Sequence, residues 1–93
     1  MKKSELVEQL FLLTKHAASS YDGETIEDDY IRNWARWTVE ETKDSYIPAL
    51  DGAITLRLRI VDGAFDTSEY DAIYGEDAAA HALESEKKNA KEA

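Results

Sequence analysis

The sequence predicts an all-α fold: a small bundle of three main helices, with a short fourth helix and an alanine-rich helical tail at the C-terminus. Two observations lead there. Apolar residues recur at three- and four-residue spacing through most of the chain, and turn-formers separate the segments they occupy: Ser19-Ser20-Tyr21-Asp22-Gly23, Pro48, Asp62-Gly63 and Gly75. The 93 residues read as one domain over 1–93, burying about 60–65% of its unfolded surface. Residues 86–93 are expected to fray.

The first helix is expected from about Glu5 to Ser19. Ser4 is a good N-cap, and Glu5 and Glu8 put negative charge where the helix dipole favours it. Leu6, Val7, Leu10, Phe11, Leu13, Thr14, Ala17 and Ala18 make a broad apolar face, with Leu12 left on the outer side. Ile26 to Tyr46 reads as the central helix. Ile26, Tyr30, Trp34 and Trp37 follow one another at spacings of four, four and three, which predicts a buried aromatic stripe widened by Ile31 and Thr38. Asp28 with Arg32, and Arg36 with Glu40, are spaced for weak ion pairs on the outer face. Thr25 with Asp28 forms a variant capping box, and Pro48 disfavours helical geometry at Ile47.

Residues 53–61 carry two patterns at once. Ile54 to Ile60 alternates apolar and polar like a half-buried strand. Ile47, Leu50, Ile54, Leu58, Val61 and Phe65 also keep helical spacing up to Asp62-Gly63. A helix is predicted because nothing else resembles a strand and a lone strand leaves its edges unsatisfied; the strand would require a partner chain or a short hairpin. Asp66-Thr67-Ser68 offers caps for a short helix from Glu69 to Tyr74, ended by Gly75, and Glu76 opens the alanine-rich tail. The expected core is Leu6, Leu10, Phe11, Tyr30, Trp34, Trp37, Ile54 and Leu58.

Charge is the strongest compositional deviation, twenty acids against eleven bases for a net of −9. Such a field repels nucleic acid and anionic lipid and attracts basic surfaces, so neither direct nucleic-acid binding nor membrane binding is expected. There is no cysteine, which excludes disulfides and thiolate metal sites. The apolar run Leu10 to Leu13 is too short for a membrane span or a signal-peptide core, and the protein is expected in the cytoplasm of a cell or an infected host. His16 and His81 sit on polar faces of different predicted helices, without the convergent ligands a metal site needs. No cofactor, metal or catalytic residue is assigned, and the expectation is a protein that is not an enzyme.

Glu24-Thr-Ile-Glu27 and Glu41-Thr-Lys-Asp44 resemble the ExxE and ExxD pairs of helical magnesium-dependent nucleotide pyrophosphohydrolases. On one predicted helix, however, Glu24 and Glu41 stand about 25 Å apart and cannot share a metal. A carboxylate-dependent hydrolase therefore ranks last. Calcium loop, phosphate-cradling glycine loop and nucleophile-base pair are all missing.

The remaining signal is Ile60 to Glu86, with eight acids, no lysine or arginine, and Phe65, Tyr70 and Tyr74 interleaved. The plainer reading is a solvated coat that keeps the chain soluble. The sharper one is a face for a basic protein partner, one that itself binds nucleic acid, with carboxylates imitating phosphates and aromatic rings as anchors. The residues assigned to that face are Asp62, Asp66, Glu69, Tyr70, Asp71, Tyr74, Glu76 and Asp77. Small phage inhibitors of host defence are similar in composition, being short, acidic and cysteine-free. The alternative is a structural or adaptor subunit that forms a homodimer or larger homo-oligomer through apolar residues of 47–65.

Overall fold

In the computed structural model, residues 2–19, 26–42, 45–47, 50 and 57–92 are described. They form α1 (Lys3–Ser19), α2 (Asp28–Glu41), β1 (Arg59–Val61), β2 (Ala64–Asp66), α3 (Ser68–Tyr74) and α4 (Ala78–Glu92). The fold is mostly helical with one small two-stranded sheet, where the sequence predicts helices throughout. No helix among the described residues is long and apolar enough to cross a membrane.

α1 lies at the centre because it is apolar on more than one side. It packs against both α2 and α4, and Leu6, Leu10, Phe11, Leu12, Leu13 and Thr14 are all buried. Leu12, placed outside by the helical pattern, is covered because it lies one turn before His16, whose ring meets Glu86 of α4. The buried Thr14 hydroxyl donates to the Leu10 carbonyl at 2.7 Å, so its polar atom is satisfied within the helix.

α2 is shorter than the sequence predicts, ending at Glu41, and it buries a different face. Ile31, Ala35, Thr38 and Val39 form its core stripe, Trp34 is half-buried, and Tyr30 and Trp37 are 60% and 57% exposed. The expected aromatic stripe is therefore turned largely outward. Two features settle the orientation. Ala35, without a long side chain, permits close approach of the helices, and Arg32 locks the register by bonding Glu8 at 2.6 Å while lying 4.0 Å above the Phe11 ring. Ile31, Ala35 and Val39 enter the core without an O–H or N–H that needs a partner, unlike Tyr and Trp, although the buried Thr38 hydroxyl beside them has no partner among the described residues. Of the expected core, Leu6, Leu10, Phe11 and Leu58 are buried; Ile54 lies outside the described residues, as does the Thr25 cap.

The strand alternative holds where residues 57–66 are described. β1 and β2 pair antiparallel, Arg59 opposite Asp66, Ile60 opposite Phe65 and Val61 opposite Ala64. Asp62 and Gly63 turn the chain with φ of 52° and 76°, the pair of positive values that a two-residue type I′ hairpin requires. The other edge of β1 is satisfied by the segment after α2: Ile47 N–H donates to the Leu58 carbonyl at 2.9 Å, and Ile60 N–H to the Ser45 carbonyl at 3.4 Å. Leu58 and Ile60 point into the core. α3 contributes the buried Tyr70 and ends at Gly75, whose φ of 117° suits a residue without Cβ. α4 lays Ala79, Ala82 and Glu86 inward.

Candidate functional site

The hairpin, α3 and the first turn of α4 carry the eight residues singled out by charge and aromaticity, and the fold divides them. Asp66 and Asp71 build the scaffold. Asp66 Oδ1 accepts from Ser68 N–H at 3.0 Å and from Ser68 Oγ at 2.6 Å, so it braces the turn that leads into α3. The bonds from the Ser68 side chain and backbone hold the Asp66 carboxyl below its ordinary pKa, helped by the charge of Arg59. Asp71 Oδ1 accepts from Ala79 N–H at 3.0 Å, and its Oδ2 from Thr67 Oγ1 at 3.4 Å. One carboxylate thus satisfies an otherwise orphaned amide in the first turn of α4 from the preceding helix.

Tyr70 belongs to the core. It is buried, its ring centroid 4.7 Å from that of Tyr74. Burial raises its phenol above the ordinary tyrosine pKa, with Tyr74 and the Asp71 charge acting in the same direction. Glu69 is half-buried and accepts a hydrogen bond from the Tyr46 hydroxyl, which ties α3 to the segment beside β1.

Asp62, Tyr74, Glu76 and Asp77 are exposed. Asp62 stands at the hairpin tip, while Glu76 and Asp77 form the turn between α3 and α4. Ile73 joins them, 53% exposed like Tyr74; the sequence suggests that Tyr70, Ile73 and Tyr74 close over the core, and of the three only Tyr70 is buried. A signal was present, since adjacent Ile73 and Tyr74 near the end of a two-turn helix cannot both face one core. The outcome is an apolar pair bordered by carboxylates, in a stretch with no lysine or arginine.

The fold also brings together two residues assigned to separate faces. His16 and His81 line one cleft of about 450 Å³ with Tyr70, Tyr74, Glu76 and Ser85. Beside it, His16 Nδ1 meets Oε1 of the buried Glu86 at 3.3 Å, joining α1 to α4. Among the described residues, no group of three or more His, Cys, Asp or Glu side chains could hold a metal ion. Glu24 and Asp44, from the two acidic pairs, lie outside the described residues. No protein-family model, curated protein or solved structure matches the chain.

Proposed function

We propose that this is a non-enzymatic interaction protein that masks a basic surface on a nucleic-acid-binding partner. The observation that carries the reading is the exposed pair Ile73 and Tyr74 beside Glu76 and Asp77, within a region free of lysine and arginine. Apolar anchors inside a charged rim are how protein interfaces combine affinity with selectivity. A carboxylate rim selects a surface that would otherwise hold phosphate. The scaffold for this face is a small bundle of α1, α2 and α4, onto which α3 and the hairpin dock. A cytoplasmic inhibitor of the phage anti-defence kind fits this description. Self-assembly through apolar residues of 47–65 draws less support, because Ile47, Leu50, Leu58 and Ile60 are buried within the chain itself.

The test neutralises exposed acids and spares Asp66, Glu69 and Asp71, whose bonds hold α3 in place. Asp62→Asn, Glu76→Gln and Asp77→Asn are combined with Tyr74→Ala; Asn suits the left-handed backbone at 62 and 77. Wild type should capture a nucleic-acid-binding protein from lysate at low salt, release it to added heparin, and lose it at high salt. The variant, with unchanged circular dichroism, should capture none. Equal capture by both proteins would sink the reading.

A further inference from the structure

Tyr30, Trp34, Trp37 and Glu41 fall within about 60° of one another around α2, roughly a third of a turn from its core stripe. Both tryptophans of the chain are here, and Tyr30 and Trp37 expose more than half their surface. Aromatic faces attract cations, and the chain uses that chemistry internally, with Arg32 over Phe11 and Arg59 over Tyr46. Among the described residues no cation stands over Tyr30, Trp34 or Trp37. Both arginines of α2 reach other residues: Arg32 bonds Glu8, and Arg36 donates to Asn33 at 3.4 Å. Glu40 and Glu41 are exposed beside the rings.

We infer that this stripe is a second docking surface, separate from the acidic face of α3, and that its occupant is an arginine- or lysine-bearing segment of a partner protein. The cationic groups lie over Trp37 and Tyr30, with Glu41 as counter-charge. Those two rings are about 10 Å apart along the helix. They therefore match cations seven residues apart in a helix or about three apart in an extended segment. A second copy of this chain is the poorer occupant, since it would set −9 against −9 and Glu41 near its own counterpart.

The probe is a synthetic amphipathic helix with arginines seven residues apart on a leucine face, compared with a twin in which citrulline, neutral and nearly isosteric, replaces each arginine. Binding is followed by tryptophan fluorescence and by the indole N–H resonances, to which both tryptophans contribute from this stripe, Trp37 from its exposed part. The arginine peptide should shift the Trp34 and Trp37 indole signals. Trp37→Leu should weaken it about fivefold or more, while Trp37→Phe, which keeps a ring, should retain most of the affinity. The citrulline twin should lose as much as Trp37→Leu does. The combined variant Glu76→Gln, Asp77→Asn should bind within about twofold of wild type, because those acids belong to the turn between α3 and α4 and not to α2.

Equal binding of the citrulline twin would reduce the stripe to an apolar patch and overturn the inference. Unmoved indole signals would do the same, as would a loss in the Glu76, Asp77 variant as large as that in Trp37→Leu. Light scattering that shows a dimer dissociated by Trp37→Leu would assign the stripe to a second copy instead. None of these outcomes touches lysate capture by the acidic face, which is read with different variants.

Discussion

At the scale of single residues, carboxylates with the same formal charge take different roles according to what donates to them. Asp71 receives an amide from the next helix and a hydroxyl from Thr67, whereas Glu76 and Asp77 stand exposed. Nothing in the sequence separates them, because the bond from Ala79 to Asp71 exists only once α3 and α4 are placed. The acid-rich stretch was legible from composition; its division into scaffold and surface was not. Tyr70 has a titration consequence. Its folded pKa is raised by burial, so the unfolded chain releases the proton first, near pH 10. The stabilisation is complete below about pH 10 and is lost as pH rises through the folded value. Tyr70→Phe should therefore move the alkaline unfolding midpoint upward in a pH series of thermal melts. An unchanged midpoint would refute the assignment.

At the scale of elements, the hairpin offers a test at its turn. In the observed turn, Gly63 has φ of 76° with nothing within 4 Å of a would-be Cβ, so alanine meets no clash but occupies a left-handed backbone at ~1–2 kcal/mol. Gly63→Ala should lower the unfolding free energy measured by urea titration by that amount, and Gly63→Asn by less. The signal for this turn was in the sequence, Asp62-Gly63 between Ile60-Val61 and Ala64-Phe65. It was masked because the same dipeptide also ends helices, and because the pairing of β1 with residues 45–47 is long-range and leaves no local trace. α1 was legible because its apolar positions leave few faces to choose from. α2 was legible as a helix but not in orientation: aromatic size pointed to one stripe, while Ala35 and the Arg32 contacts select another.

At the scale of the whole molecule, the excess of acid sets the response to salt. The cross-helix pairs of Lys15 with Asp28 at 3.2 Å and Arg32 with Glu8 at 2.6 Å join partly exposed side chains and are worth ~0–1 kcal/mol each. Salt weakens them, but it also screens the mutual repulsion behind the net charge of −9. Repulsion acts among many groups and the pairs are few, so screening wins. Between about 10 mM and 150 mM salt, as the Debye length falls from ~30 to ~8 Å, the melting temperature should rise by a few degrees, with ~4–8 °C per kcal/mol for a chain of this size. A fall would mean that the pairs dominate.

The absence of lysine and arginine between Ile60 and Glu86 has a practical side. Complete trypsin digestion cuts after Arg59 and next at Lys87, releasing the hairpin, α3 and the first half of α4 as one peptide. That fragment contains every exposed acid of the α3 face, while Tyr30, Trp34 and Trp37 fall in others. In mass spectrometry of a cross-linked complex, the mass of the modified peptide alone reports which face met the partner.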